Sequence, residues 1–395
     1  MIFDAVFIIC EFDPMHKGHE YLIRKAKEIS ENAPVICIMS GNFTQRGECA
    51  VLGKYERAEC AVLCSADLVL SLPTVYSCAC AEIFAKGAVQ IAASIAQGKN
   101  CALLFGSESG DVNELSLCAD RLMSDEFKCT LSKLSNDLPY ASELSKAYES
   151  IYGSCDVLSK PNNILAIEYI KAIKKYAPYI TALTVKRVGS GHNALTVSGA
   201  DTFASGSYLR KIAKETEFFS HIPKQTAEIY HALSSKGQFP ARMKNGERVI
   251  LRLLRQSVKH PYAECGGGLY ERIVRCAKKA TSYDELIAIS QTKRYTNAKI
   301  RRAIIYICLG ITENMISKDP SFTQLLAANA NGTAILADIR KRQSITIITK
   351  PADHADEPDF QSELKADELY AFMTPDTMPY NMYLTKTPFI LKDGR

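Results

Sequence analysis

Two histidines near the start of the chain are spaced as a phosphate site would need them. They lie in the segment Cys10-Glu11-Phe12-Asp13-Pro14-Met15-His16-Lys17-Gly18-His19, between an apolar run and a helical pattern. His16 and His19 are three residues apart, so at a helix start they project to the same side. Free N–H groups and the positive dipole end of a helix favour a phosphate there. Two imidazoles could then stabilise charge during an in-line displacement at phosphorus.

The alternative for these histidines is a pair of partly exposed side chains without a ligand, and the strand–turn–helix context favours the phosphate site. Gly18 between them would leave room for a ligand to approach the backbone. The short motif resembles that of the HxGH nucleotidyltransferases, which carry a second phosphate-binding signature at the start of a later helix. Here Ser205, Ser207 and Arg210 fit that signature. The serines could cap a helix and bind phosphate oxygens, and Arg210 could supply charge.

The elements that would position these residues alternate between strands and helices. Strands are predicted at 4–10, 34–39, 67–72, 101–105 and 181–185, and helices at 18–30, 54–64, 81–96, 113–123 and 164–176. This alternation predicts an α/β fold with a doubly wound parallel sheet, similar to a Rossmann fold, whose ligands bind at the carboxyl ends of the strands.

After residue 205 the strand pattern gives way to helices, with one short strand predicted at 344–349. We therefore expect an ATP-binding catalytic domain at 1–205 and a mostly helical domain at 206–395. Residues 186–302 hold 22 Lys and Arg against 9 Asp and Glu, although the net charge of the whole chain is only +5. A basic region on an otherwise acidic protein is typical of a polyanion-binding surface, and the alternative is a solvated basic face without a partner.

Composition narrows the class of protein further. The 395 residues are 47% hydrophobic and 23% charged, and no apolar stretch reaches the length of a membrane span. Asp4 interrupts the first apolar run, which argues against a signal peptide, so we expect a cytoplasmic protein. The 14 cysteines include no CxxC pair, which favours reduced thiols used as small core residues over a structural metal site.

Much of the first 210 residues resembles one family, the bacterial tRNA(Met) cytidine acetate ligases. The matching stretches appear in the family's order and are EFDPMHKGH (11–19), MSGNFTQRGE (39–48), KYERA (54–58), ADLVLSLP (66–73), AEIFAKGAV (81–89), FGSE (105–108), KPNNILAIEY (160–169), KR (186–187) and ASGSYLRK (204–211). Together they are far more specific than the two histidines alone. The helical remainder matches only weakly.

The resemblance implies a two-step reaction. Acetate attacks the α-phosphate of ATP, and the acetyl group then passes to the N4 amine of the wobble cytidine of elongator tRNA(Met). Mg²⁺ would accompany the ATP phosphates. The implied catalytic residues are His16 and His19. Arg46, in a Gly-flanked loop after the second strand, is a third catalytic candidate, and the alternative for it is a surface loop. The predicted nucleotide-binding positions are Cys10, Glu11, Phe12, Gly18, His19, Gly106, Asn162, Arg187, Ser205, Ser207 and Arg210. No metal-ligating side chain is predicted.

Five positions depart from the family pattern, including Ser71 in place of a usual Glu and Cys49 beside Glu48. Asp13, Met15 and Lys17 stand where the family usually has Asn, Phe and Asn. Asp13 would place a carboxylate near the phosphates, and we expect Lys17 to offset its charge. The acyl specificity and the oligomeric state are left open by the sequence.

Further polar residues have less certain roles. Lys54 and Arg57 begin a helix and could reach phosphates or RNA, whereas Asp67 at a strand start is expected to be structural. His192, in a Gly-rich turn, could touch a ligand, and four later histidines have no visible partner in the sequence: His221, His231, His260 and His354.

Two other functions compete with the ligase. One is a small-molecule adenylyl- or cytidylyltransferase, and the other is a non-catalytic RNA-binding module that keeps ATP as a structural ligand. The basic helical half favours an RNA substrate, because phosphate neutralisation dominates nucleic-acid affinity. The two phosphate-binding segments argue against a module without catalysis.

Overall fold

In the computed structural model, residues 2–133, 140–187 and 203–392 are described. The strands within these ranges are β1 (Ala5–Cys10), β2 (Val35–Ser40), β3 (Leu68–Leu72), β4 (Cys101–Ser107), β5 (Thr181–Lys186), β6 (Phe322–Ala328), β7 (Thr346–Ile348) and β8 (Phe389–Ile390). They form one sheet in the order β5-β4-β1-β2-β3-β6-β7, with β8 paired to β6. Strands β1 to β5 are mutually parallel, and β6 is antiparallel to β3.

The helices of the first half pack around this sheet or follow it. They are α1 (Lys17–Ile29), α2 (Lys54–Leu63), α3 (Thr74–Ser77), α4 (Ala81–Ala96), α5 (Val112–Met123), α6 (Asp125–Ser132), α7 (Tyr140–Tyr152) and α8 (Pro161–Tyr176). The predicted strands and helices of this half are confirmed within a few residues. The four strands β1 to β4 are apolar along almost their whole length because helices cover the sheet, and their side chains are buried.

The middle of the chain is helical, as predicted. Its helices are α9 (Gly206–Lys211), α10 (Phe218–His221), α11 (Ala227–Ser235), α12 (Glu247–Gln256), α13 (Leu269–Ala277), α14 (Tyr283–Ser290), α15 (Asn297–Leu309) and α16 (Glu313–Ser317). On α12, Ile250, Leu251 and Leu254 are buried, whereas Arg248 and Arg252 are exposed. Helix α12 packs on α13, α14 and α15, which leaves its basic side facing outward.

The last part of the chain returns to the sheet, which the sequence did not predict. Strand β6 is fully buried beside β3, and α17 (Ala330–Arg342) and α18 (Gln361–Ala371) follow it. The predicted strand at 344–349 is confirmed as β7. The segment Phe322–Ala328 contains mostly Leu and Ala in its second half, residues with little strand preference, so only pairing with β3 decides its conformation. Strands from both sides of residue 205 therefore share one sheet.

Asp67 connects the two ends of the chain at this point, and its predicted structural role is confirmed. Its carboxylate accepts hydrogen bonds from Lys27 Nζ at 2.5 Å and from the Val35 N–H at 2.7 Å. Its other oxygen accepts from Asn329 Nδ2 at 3.0 Å. Gly332 is required here, because a Cβ at this position would lie 1.9 Å from the Asp67 carbonyl oxygen.

Candidate active site

The two histidines lie at the carboxyl end of β1, where the chain turns into α1. His16 is the residue that caps α1, and its Nδ1 accepts a hydrogen bond from the Gly18 N–H at 3.0 Å. The rings of His16 and His19 are stacked, with centroids 3.8 Å apart. The predicted projection to one side of the helix start is confirmed. His16 is only 6% exposed, so its ring is held by both burial and the capping hydrogen bond.

Both imidazoles are neutral at physiological pH. Burial, with the positive charges of Arg187 and Arg210 nearby, holds the pKa of His16 well below its usual value. Burial and the charge of Arg187 lower the pKa of His19 to about 3. Because Nδ1 of His16 accepts a hydrogen bond, its proton is on Nε2 in the neutral ring. His16 therefore presents an N–H donor, which could bind a phosphate oxygen.

Gly18 is needed for the shape of this turn. A Cβ at position 18 would lie 2.8 Å from Cε1 of His16 and 3.2 Å from Cβ of Phe203. The sequence explained this glycine by the approach of a ligand. In the structure its first role is to admit the capping ring of His16 and the segment that leads into α9.

The second phosphate-binding signature packs directly on the first. Ser205 caps α9, and its Oγ accepts from the Tyr208 N–H at 3.2 Å. Arg210 donates to the Asp13 carbonyl oxygen at 2.7 Å and to Ser207 Oγ at 3.0 Å. The structure thus brings together two segments that are about 190 residues apart in sequence. Together they place imidazole, hydroxyl and guanidinium groups around one turn.

Asp13 is part of this junction, and the role expected for Lys17 is wrong. The Asp13 carboxylate accepts from the Val51 N–H at 2.7 Å and lies 3.5 Å from the Arg210 guanidinium. Lys17 instead donates to the Ser220 carbonyl oxygen at 2.6 Å. Arg210 therefore offsets the charge that distinguishes this chain from the family pattern. Lys17 cannot do so because it starts a helix on its exposed side.

Arg46 lies in the loop after β2, next to the histidine turn. Glu11 accepts a hydrogen bond from the Gln45 N–H at 2.7 Å. Burial raises the pKa of Glu11, and the hydrogen bond from Gln45 lowers it in part. The charges of Arg46 and Arg210 also act on Glu11. The loops after β1 and β2 therefore meet, because parallel neighbours end at the same sheet edge.

Gly106, Asn162 and Arg187 lie on the other side of the histidine turn, where β4 and β5 end. A Cβ at Gly106 would lie 3.3 Å from Cγ of Arg187. Asn162 Nδ2 donates to Glu108 Oε1 at 2.6 Å, and the Asn163 N–H donates to the other oxygen of Glu108 at 2.8 Å. Glu108 thus caps α8. Asn162 has its amide nitrogen engaged by this carboxylate.

Cys10 and Phe12 contribute in different ways. The Cys10 thiol points at the Ile38 carbonyl oxygen, 3.8 Å away inside the sheet, and burial raises its pKa well above the usual value. A ligand could meet only its backbone. Phe12 is 1% exposed, adopts a φ of +48°, and its ring centroid lies 5.1 Å from that of His19. Its ring therefore supports His19 from inside.

Lys54 and Arg57, for which binding and structural roles were both open, are buried and bonded to the protein. Lys54 Nζ pairs with Asp367 at 2.7 Å. Arg57 donates to the carbonyl oxygens of Leu52 at 2.9 Å and of Ser40 at 3.2 Å, and also to those of Glu11 and Gly41. Arg57 therefore ties together the loops after β1 and β2. Sequence analysis missed this role because nothing local shows which carbonyls converge on α2.

Three of the later histidines have partners that the sequence did not show. His221 lies 3.6 Å from Glu217, whose carboxylate accepts from the Tyr208 hydroxyl at 2.6 Å. His231 stacks on Phe219, and His354 lies 2.8 Å from Glu357. The ring of His221 also meets that of Tyr208, on α9, edge-on with centroids 6.3 Å apart, which places it next to the candidate site. His192 lies outside the described residues.

The described part of the chain contains no group of three or more His, Cys, Asp or Glu side chains that could hold a metal ion. Ten of the 14 cysteines are buried, and all of them are free thiols. Within the same ranges, none of the helices is both long and apolar enough to cross a membrane.

Comparisons with known proteins place this geometry in a family. A family model described as HIGH Nucleotidyl Transferase matches residues 3–383. A tRNA(Met) cytidine acetate ligase from Thermoanaerobacter sp. (strain X514) is 33% identical over 380 residues, which cover 92% of this chain and 94% of that protein. A relative with the same name from Clostridium perfringens (strain SM101 / Type A) is 30% identical over 402 residues, which cover 98% and 99%.

Two solved structures resemble the whole fold. Thermotoga maritima TmcAL bound with alpha-thio ATP has a TM-score of 0.86 and 27% identity, covering 98% of this chain and 100% of that one. The apo form of the same protein has a TM-score of 0.88 with the same identity and coverage.

Proposed function

Because the chain belongs to the HIGH nucleotidyl transferases and, among them, to the tRNA(Met) cytidine acetate ligases, we propose that it acetylates a cytidine of tRNA(Met) at the expense of ATP. The observation that carries this proposal is the contact between the histidine turn and α9, made through Arg210 and Asp13. It gathers neutral donors and a cation where the triphosphate of ATP would lie.

In the first step, a carboxylate oxygen of acetate attacks the α-phosphorus of ATP. Acetyl-adenylate forms, and the bond to the bridging oxygen breaks to release pyrophosphate. His16 and His19 donate hydrogen bonds to the α-phosphate oxygens as negative charge grows on them. Arg46 lies on the side of the site that the loop after β2 forms. Their lowered pKa values make both rings weak bases, so we assign each ring a hydrogen-bonding role through its single N–H and no role in proton transfer.

In the second step, the N4 amine of the wobble cytidine of elongator tRNA(Met) attacks the acetyl carbonyl. AMP leaves, and the amine loses one proton. The protein mainly has to hold the amine against the mixed anhydride, since the adenylate is already reactive. Holding the amine in this position is the role of the residues that orient the RNA.

The remaining predicted positions are assigned to ATP. We propose that the nucleotide contacts the turn at Cys10, Glu11, Phe12 and Gly18. Cys10 and Phe12 would contact it through their backbone atoms. Gly106, Asn162 and Arg187 would bind it at the ends of β4 and β5. Ser205, Ser207 and Arg210 would bind its phosphates. Any Mg²⁺ would arrive with the triphosphate, because the described residues offer no metal-binding cluster of their own.

The helical middle is proposed to bind the RNA backbone, within a tRNA-binding part at 206–395. Several exposed cations of this region form no ion pair with an acidic side chain of the described residues, among them Arg248, Arg252, Arg275, Lys278, Lys279, Lys293 and Arg294. Phosphates are the complementary partners of such a surface. ATP and tRNA are cytoplasmic, so we place the reaction in the cytoplasm.

The test is product formation. Purified protein is incubated with ATP, labelled acetate and transcribed elongator tRNA(Met), and the digested RNA is analysed for N4-acetylcytidine. The expected result is acetylcytidine in the wild type and its loss in His16→Ala. Cleavage of ATP without labelled RNA would overturn the proposal in favour of a small-molecule transferase. Absence of ATP cleavage would overturn it in favour of a binding module.

A further inference from the structure

The loop at residues 41–50, which follows β2, is a closed hairpin with Arg46 at its tip. The Thr44 N–H donates to the Glu48 carbonyl oxygen at 2.9 Å, and the Gly47 N–H donates to the Thr44 carbonyl oxygen at 2.9 Å. Phe43 and Cys49 form a bridge below the tip. These bonds close the hairpin on itself, so the contacts that hold its two sides also set the position of Arg46 at its tip.

One side of this hairpin faces the candidate active site. The Gln45 N–H donates to Glu11 at 2.7 Å, and the charges of Glu11 and Arg210 act on the Arg46 guanidinium. The charge of Arg301, on α15, acts on Arg46 as well. Because Gln45 bonds to Glu11 on one side of the tip and Glu48 pairs with Arg301 on the other, Arg46 lies between the histidine turn and the helical part of the molecule.

The other side of the hairpin rests on the start of α15. Glu48 pairs with Arg301 Nε at 2.8 Å. Gly47, with a φ of +73°, approaches the backbone so closely that a Cβ there would lie 2.5 Å from the Arg302 nitrogen. A side chain at position 47 would therefore not fit. The hairpin packs directly against the backbone of α15.

Helix α15 is in turn fixed to the sheet half. Arg302 donates to Glu264 Oε2 from Nη2 at 2.6 Å and from Nε at 3.0 Å, and its Nε also donates to Oε1 at 3.1 Å. Glu264 also accepts from the Cys80 N–H at 2.9 Å, just before α4. Arg301 is therefore presented from a backbone that is held independently of the hairpin.

We propose that Arg301 is a positioning residue for adenylation, which sets the place of Arg46 through its ion pair with Glu48. This rests on the proposed function and on the role of Arg46 in it. Arg301 and Glu48 have side chains 32% and 31% exposed. Because both side chains are partly exposed, the pair adds little to the stability of the fold. The contacting Nε of Arg301 is itself buried and makes no hydrogen bond, so it acts by charge and contact, 2.8 Å from Glu48, on the hairpin that carries Arg46.

The experiment measures acetate-dependent exchange of labelled pyrophosphate into ATP, without tRNA, for the wild type, Arg301→Met and Arg301→Lys. The expected result for Arg301→Met is a kcat roughly ten-fold lower with the KM for ATP nearly unchanged, because a misplaced transition-state contact lowers kcat. Arg301→Lys should restore much of the rate. Melting temperatures of all three should agree.

Two further variants make the result specific. Lys259→Met removes the exposed ion pair to Glu271, 2.6 Å long, in the same helical region, and should exchange like the wild type. Glu48→Gln combined with Arg301→Met should be no slower than either single variant, because both remove one interaction. Wild-type rates in Arg301→Met, a lowered melting temperature that accounts for the loss, or additive losses would overturn the proposal. Absence of exchange in the wild type would overturn the proposed function instead.

Discussion

Lys and Arg side chains have different partners in the sheet half and in the helical middle. In the sheet half, Arg57 is buried and donates to four carbonyl oxygens, and Lys54 is buried against Asp367. In the helical middle, the exposed cations named above, such as Arg252 and Lys278, have no described acidic partner. The net charge of a region does not show whether its cations are buried against protein groups or exposed. Only exposed cations without an acidic partner remain available to bind a polyanion.

The comparison also explains how this fold tolerates Asp13 beside the proposed phosphate site. Arg210 both offsets the carboxylate and fastens α9 to the histidine turn. A cation with such bonds contributes to the shape of the site as well as to its charge. Loss of a buried cation should therefore lower stability, whereas loss of an exposed cation should weaken RNA binding.

The largest effect is expected from Lys54→Met. Removing one partner of a buried ion pair leaves the Asp367 charge without compensation, which costs about 3–5 kcal/mol of unfolding free energy. Urea denaturation followed by circular dichroism would measure this loss. In the double variant Lys54→Met/Asp367→Asn most of the stability should return. A single variant as stable as the wild type would contradict the structural role of Lys54.

The next effect is catalytic. His16→Ala should lower acetate-dependent pyrophosphate exchange by roughly 10²–10³-fold, because one preorganised donor to the α-phosphate is lost. His16→Asn is the control, since asparagine can still cap α1, and its unfolding free energy should match that of the wild type. If His16→Asn exchanges as fast as the wild type, the histidine serves only as a cap.

An effect of intermediate size concerns pH. His19 has a folded pKa lowered to about 3, so protonation favours the unfolded chain. Stability should be complete above about pH 6.5 and decline as pH falls below it, by up to about 2 kcal/mol at pH 5. The measurement compares the wild type with His19→Asn at pH 7 and pH 5, without ATP. An equal decline in both proteins would show that His19 does not contribute.

The smallest effect is expected in the helical middle. Lys278→Ala should weaken tRNA binding only a few-fold and lower the slope of log affinity against log salt by about 0.7–0.9, as expected for one phosphate contact. Filter binding at several salt concentrations would test this, with Lys128→Ala on α6 as the control. Unchanged slopes in Lys278→Ala, Arg252→Ala and Arg275→Ala would remove the distinction between the two regions.

Local patterns were sufficient for most of the first half. The apolar runs at β1 to β4 and the helical periodicity of α1, α2 and α4 predicted these elements closely, because each pattern reflects burial on the element itself. The spacing of His16 and His19 likewise predicted a shared side, since three residues nearly complete one helical turn.

The sequence by itself determined the strand–helix alternation, the histidine turn and the basic middle. Only the tertiary structure decided that β6 joins β3, that Arg210 and not Lys17 offsets Asp13, and that Glu48 meets Arg301. The physical reason is distance along the chain. Periodicity and capping act over a few residues, whereas each of these contacts joins segments about 200 residues or more apart, whose meeting depends on how the whole core packs.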